Sequence, residues 1–397
     1  MRRLLTAAKL WDGSRLIDHP VVEIEDGRIR SIGNRAAGEL DSTAERLDFP
    51  AALLAPAFLD VHFHGAGGHD VMEASPDALY AIGSMAARHG TGSYLATTVT
   101  APLDVTLRAV AGLAKLLHQP ELLDAHGKNG PAARPVGIHL EGPFLSHAKR
   151  GVQPAEHLLA PDIAVFDKLY DAAEGTMRLM TLAPELPGAV ELAAHATKRG
   201  VRVSLGHSDA TAAETRAAIA VGAVSATHTF NAMRALDHRE PGILGTVLTC
   251  DSLYAELICD GIHVAPEAVK LWWNSKGQER AILVSDAMSA TGMPDGEYQL
   301  GAFPVQVANG RATARGVLAG SVLTLDRALS NFVEFTGATV EQGLRLLSAN
   351  PAAMTGLDKT AIDGAGCLRA GGPADLVAVD VDGKLLGSIL RGHLMRT

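Results

Sequence analysis

Apolar residues gather along this chain in two kinds of run. Short continuous runs fall at 53–61, 93–99, 135–140, 201–205, 223–227 and 281–284 and read as buried strands. Between them, 76–89, 103–118, 162–174, 187–199, 209–221 and 325–335 read as helices. Several open on start signals: Ser75-Pro76, Asp162 and Ser208-Asp209 offer a capping side chain or a first-turn proline. Strands alternating with helices predict a parallel sheet. This many repeats close most economically as a (β/α)8 TIM-like barrel, an α/β fold. A doubly wound sheet is the alternative, but no Gly-x-Gly-x-x-Gly follows the first strand.

The two ends carry another pattern. Asp12-Gly13 and Asp26-Gly27 are turn dipeptides between β-prone runs such as Val21-Val22-Glu23-Ile24. Ala374–Val379 reads as a strand, with a turn at Asp382-Gly383 before another. Chain ends often lie close together. One small β domain is therefore expected from 1–53 and 357–397, around a barrel of 54–356.

Composition narrows the partners. The net charge of −9 carries no basic surplus, which argues against nucleic acid. An anionic substrate would need locally placed cations. Three cysteines (Cys250, Cys259, Cys367) without Cys-x-x-Cys spacing fit neither a disulfide framework nor a thiolate zinc site, and suit a reducing cytosol. Lys9, Asp12 and Arg15 interrupt any signal-peptide core after Arg2-Arg3. No run approaches the ~18 apolar residues of a membrane span. A cytoplasmic protein without membrane or nucleic-acid partners is expected.

The informative feature is what ends the apolar runs. His62-Phe63-His64 ends the first, Glu141 the run from Pro135, His207 the run from Val201, His228 the run from Ala223, and Asp286 the run from Ala281. Barrel enzymes keep their active sites at the C-terminal ends of their strands. Neutral imidazole and carboxylate suit a divalent ion such as zinc. Residues two apart on a strand share a face, so His62 and His64 point the same way. Glu141 has two oxygens and could bridge two ions. Asp286 could ligate a metal, take a proton from water, or both. Each residue also has a plain reading: histidines in apolar runs are usually hydrogen-bonded core residues, His-x-His arises by chance, and Asp286 could cap the next segment. His139, on the same strand face as Glu141, is either support for the site or core packing. What carries the metal reading is five strand ends in one order.

These residues sit in longer motifs. Val61-His62-Phe63-His64-Gly65 resembles the first-strand motif of the amidohydrolase superfamily. His139-Leu140-Glu141-Gly142-Pro143-Phe144, Gly206–Ala210, Thr227–Met233, Arg239–Gly242, Asp260–Val264, Val284–Ala287 and Leu318–Ser321 resemble its N-acetylglucosamine-6-phosphate deacetylases more specifically. The resemblance runs from about 53 to 378. It implies a barrel with a small β-sandwich, usually a homodimer, that hydrolyses the acetamide of the amino-sugar phosphate to glucosamine 6-phosphate and acetate. It implies that Glu141, His207 and His228 hold the catalytic metal, zinc or else iron, manganese or cobalt, and that Asp286 is base and then acid. It assigns Asn231, Ala232, Arg239 and His263 to the sugar phosphate, with Val152, Asp260, Gly261, Ile262 and Leu318-Ala319-Gly320 lining the site.

Two positions depart from the pattern. Single-metal members carry Gln and Asn where this chain has His62 and His64, so two ions, the second held by His62, His64 and Asp286, are favoured here. Those members also tend to have a carbonyl-polarising His where this chain has Gln153. Rival readings are a deacetylase for N-acetylgalactosamine 6-phosphate or a D-aminoacylase-like amidase on the same metal site. From another class, the rival is a non-catalytic barrel acting as scaffold or binding protein.

Overall fold

A computed structural model describes residues 2–34, 44–124, 130–359 and 365–395. Eight parallel strands form the central barrel: Phe58–Phe63, Thr91–Thr98, Arg134–Glu141, Met177–Leu182, Arg202–Leu205, Ala223–Ala226, Tyr254–Ile258 and Ala281–Val284, each paired with the next. The first and eighth close the ring where His64 N donates to Ala287 O (2.9 Å) and Asp286 N donates to His62 O (3.0 Å). Ser285 Oγ, donating to Asp60 Oδ2 at 2.5 Å, adds a buried side-chain tie across the same seam.

Helices follow the strands on the outside, and local chemistry sets where they start. Ser75 accepts from Ala78 N ahead of a first-turn Pro76, and Asp162 accepts from Val165 N. The helix expected from residue 209 begins instead at Ala212, under a Thr211–Glu214 capping box. Ser208 and Asp209 do not cap it: Ser208 Oγ accepts from Ala210 N (3.0 Å) while donating to Glu185, and the Asp209 carboxylate takes the Arg234 guanidinium.

Two barrel strands were not among the expected runs. Met177–Leu182 mixes Met, Leu, Arg and Thr, and Tyr254–Ile258 contains Glu256, so neither is a continuous apolar stretch. Both are nonetheless enclosed by the barrel. A four-stranded antiparallel sheet, 296–318, is a further addition between the eighth strand and helix Leu325–Thr336. It has its own small core around Leu300, Val305 and Val307, shared with Met288, and its last strand brings Leu318 to the barrel mouth.

Both chain ends enter one eight-stranded sheet with a separate apolar core that includes Leu5, Leu10, Leu54 and Leu376. Its keystone is Glu45–Pro56, parallel to Arg2–Trp11 on one side and antiparallel to Leu376–Val379 on the other. That strand runs on through Ala57 into the first barrel strand, so the sheet is joined directly to the element that carries His62 and His64. Among the described residues, no helix is long and apolar enough to cross a membrane.

Candidate active site

The six residues picked out at strand ends converge on one point at the C-terminal mouth of the barrel. Glu141 is central. Its Oε1 lies 3.3 Å from His62 Nε2, 3.2 Å from His207 Nε2 and 3.2 Å from His228 Nε2. Its Oε2 lies 3.4 Å from His64 Nε2. Asp286 Oδ1 faces the other side, 3.2 Å from His64 Nε2 and 3.4 Å from His62 Nε2. All six side chains are buried.

The backbone is bent to achieve this. His207, His228 and Asp286 have φ of +48°, +28° and +51°, in the left-handed region that side chains with a Cβ avoid. Such conformations cost on the order of 1–3 kcal/mol each and gather at functional sites.

The donor set fits divalent ions. His64 Nδ1 donates to Thr97 O (2.9 Å) and His207 Nδ1 to Lys149 O (2.9 Å). His62 Nδ1 faces Glu256 Oε2 at 3.4 Å. In a neutral ring whose Nδ1 carries the proton, Nε2 presents a lone pair. His62 Nε2 and His64 Nε2 lie 3.3 Å apart, so with both rings neutral a cation between them would take both lone pairs. Four tetrahedral ligands about 2.0–2.1 Å from a zinc ion stand about 3.3 Å apart, matching the spacings here. Two trios have that spacing: Glu141 Oε1, His207 and His228 at 3.1–3.2 Å, and His62, His64 and Asp286 Oδ1 at 3.2–3.4 Å.

The electrostatics agree. Burial disfavours protonation of His62 and His64, yet the Glu141 and Asp286 carboxylates overcome it and raise both, His64 to about 9. Burial likewise opposes ionisation of Glu141 and Asp286, but the surrounding imidazoles hold both below the usual carboxylate range. Two buried carboxylates therefore call for positive charge between them.

A cavity of about 220 Å³ opens over this cluster. Its wall includes Val152, Asn231, Ala232, His263, Leu318 and Gly320 from the expected set, with Gly151, Gln153, Leu300 and Val317. Asn231 Nδ2 is buried without a partner, a donor left for a ligand. His263 donates from Nδ1 to Asp260 Oδ2 at 2.6 Å. Burial pushes its pKa down, but Asp260 more than offsets this and raises it. Asp260, Gly261, Ile262 and Ala319 do not line it: Asp260 Oδ1 accepts from the Ile262 and His263 amides, Gly261 is exposed, and Ala319 is fully buried. Arg239 does not line the cavity and lies on the exposed loop 235–240.

His139 proves to be the floor beneath His62, with ring centroids 4.8 Å apart. Its Nε2 meets Thr181 Oγ1 at 2.8 Å, from which hydroxyls of Thr227 and Ser204 continue across the barrel. Burial lowers its pKa, so it stays neutral. Glu256, fully buried beside His62, was missed by sequence reasoning. The available signal was an acidic residue inside Tyr-Ala-Glu-Leu-Ile, legible only once that segment is recognised as the seventh strand.

Comparison with known proteins gives one family. Residues 53–394 match the amidohydrolase family. The chain is 39% identical to the N-acetylgalactosamine-6-phosphate deacetylase of Escherichia coli O157:H7, over 96% of each chain. It is 36% identical to the N-acetylglucosamine-6-phosphate deacetylase of Lysinibacillus sphaericus, over 94% of this chain and 92% of that one. Among solved structures, a mutant N-acetyl-D-glucosamine-6-phosphate deacetylase from Mycobacterium smegmatis, in complex with N-acetyl-D-glucosamine-6-phosphate, superposes with a TM-score of 0.89 at 34% identity and full coverage of both chains. With the barrel, its strand-end cluster and these relatives in agreement, the chain belongs to the amidohydrolase family.

Proposed function

We propose that this protein hydrolyses the acetamide of N-acetyl-D-glucosamine 6-phosphate to D-glucosamine 6-phosphate and acetate. The observation that carries the reading is the buried cluster of four histidines and two carboxylates beneath a sugar-sized cavity, in a chain 33–39% identical to amino-sugar-phosphate deacetylases. Glu141, His207 and His228 would hold one divalent cation, zinc or a similar metal. His62, His64 and Asp286 would hold a second, with Glu141 between them. A divalent cation at such a site supplies Lewis acidity, which brings the ionisation of water toward neutral pH and polarises a carbonyl.

The chain's own residues then have distinct tasks. Asp286 accepts a proton from the attacking water and returns it to the departing amine, so one carboxylate serves as base and then acid. Asn231 offers its unpaired Nδ2–H to the substrate. Val152, Leu300, Val317 and Leu318 keep water from the sugar's apolar faces. His263, whose protonated form the Asp260 carboxylate favours, stands at the cavity wall for the anionic end of the substrate. Arg239, on its exposed loop, would reach the phosphate site of a partner subunit in a homodimer. Three free cysteines suit a reducing cytoplasm.

The 39% identity to an N-acetylgalactosamine-6-phosphate deacetylase favours a second reading, in which the galacto epimer is the substrate. Acetate release from both N-acetylated epimers, each with and without the 6-phosphate, tests the proposal. The expected result is turnover of the phosphorylated gluco sugar in excess of the others. Preference for the galacto epimer selects the second reading, and indifference to the phosphate overturns both.

A further inference from the structure

Three of the four site histidines have their outward nitrogen held. For His64 and His207 the acceptor is a backbone carbonyl, while for His62 it is the carboxylate of Glu256. The same Glu256 Oε2 lies 3.4 Å from His228 N, and Glu256 O accepts from Thr229 N at 2.8 Å. One residue on the seventh strand thus touches the side chain of one site histidine and the left-handed backbone of another.

Glu256 is fully buried, and His62 is its only ion-pair partner among the described residues. Its Oε1 has no hydrogen-bond partner. Burying a carboxylate without a cation beside it is costly, and an apolar residue would pack the seventh strand without that cost. The cost is offset if positive charge sits just beyond His62. A carboxylate behind a metal-bound imidazole fixes its tautomer and makes its other nitrogen a stronger donor.

We propose that Glu256 is a positioning residue for the second metal site: it holds the His62 proton on Nδ1, so that Nε2 is directed as a strengthened ligand toward His64 and Asp286. This rests on the two-ion reading above. His64 and His207, with neutral carbonyl acceptors, lack this strengthening, which therefore acts through His62.

The test is metal affinity in wild type and E256Q, measured by competition with a chelator and by metal content per chain, and repeated in a His62→Gln background. Glutamine keeps the shape and an acceptor oxygen but removes the charge. The expected result is that wild type holds two equivalents, and that E256Q loosens one of them about 10–100-fold. The loss should vanish when His62 is already Gln. The Tm of metal-loaded E256Q should fall more than that of its metal-free form, which a purely packing role does not predict. Unchanged affinity for both ions in folded E256Q overturns the proposal, as does equal loosening in both backgrounds. A wild-type chain holding one ion contradicts the two-ion reading instead. The Glu256 role is then judged on that ion: loosening that requires His62 supports it, and any other result overturns it.

Discussion

Gln153 donates from Nε2 to Glu141 Oε2 at 2.9 Å while its Oε1 accepts from Thr100 N at 2.9 Å. The Thr100 amide settles which end of the side chain is oxygen. Both ends are therefore engaged, and the residue is almost fully buried. The family resemblance sets Gln153 where a carbonyl-polarising histidine is expected, whereas its amide here is hydrogen-bonded to the central carboxylate. Gln153→Leu should leave Glu141 and the Thr100 amide each short of a partner, at about 1–3 kcal/mol apiece. Denaturant unfolding should show that loss, with weaker metal retention beside it. Unchanged stability and metal content would mean that the hydrogen bonds do not hold Glu141.

Asp286→Asn should lower kcat by about 10²–10⁴-fold while KM changes little, since a positioned acid–base group contributes on that scale. Steady-state kinetics on the folded, metal-loaded variant decide it. A kcat within a few-fold of wild type excludes the proton-transfer role. The helix-cap alternative predicts lower stability with turnover intact.

The Asp260–His263 pair should leave a mark on stability against pH. His263 is raised from 6.5, so its contribution is fully present below 6.5 and fades as pH climbs through the folded-state value. For Asp260, burial acts upward, but the hydrogen bonds from His263 and Ile262 prevail and the pKa falls below 3.8. Its contribution is present above 3.8 and fades as pH drops through the folded-state value. The Tm difference between wild type and Asp260→Asn should thus be greatest between 3.8 and 6.5 and shrink on both sides. A difference flat from pH 4 to 9 contradicts the pairing.

Arg239→Ala should raise KM for a 6-phosphorylated substrate far more than for its unphosphorylated counterpart, although the residue lies outside its own chain's cavity. If the guanidinium serves a neighbouring subunit, diluting the protein until it is monomeric should reproduce the defect. Equal losses on both substrates would make Arg239 structural.

Most of the barrel and the six-residue cluster were legible because two simple patterns coincide in this chain: six apolar runs long enough for strands, five of them closed by a metal-type ligand. His62 and His64 shared a face as alternation requires. The same logic failed at Glu256, where a charge inside a strand reads as surface unless the site that compensates it is already known. It could not distinguish support from packing for His139, since both place a neutral histidine on an inward face. Gln153 looked like a weakened catalytic group because its partners, Thr100 and Glu141, are distant in sequence. The four-stranded sheet at 296–318 was not foreseen, and its contribution of Leu318 to the cavity follows from tertiary packing rather than local pattern.

Metal content per chain, taken with acetate release before and after chelation, tests the central claim most directly. Two ions should be found in wild type and one in a His62→Gln, His64→Asn double mutant, with a large loss of kcat in the latter. Stripping the metal should abolish turnover of N-acetyl-D-glucosamine 6-phosphate, and adding it back should restore it. Full turnover in metal-free protein contradicts the account, and one ion in both proteins with unchanged kcat contradicts its two-metal form.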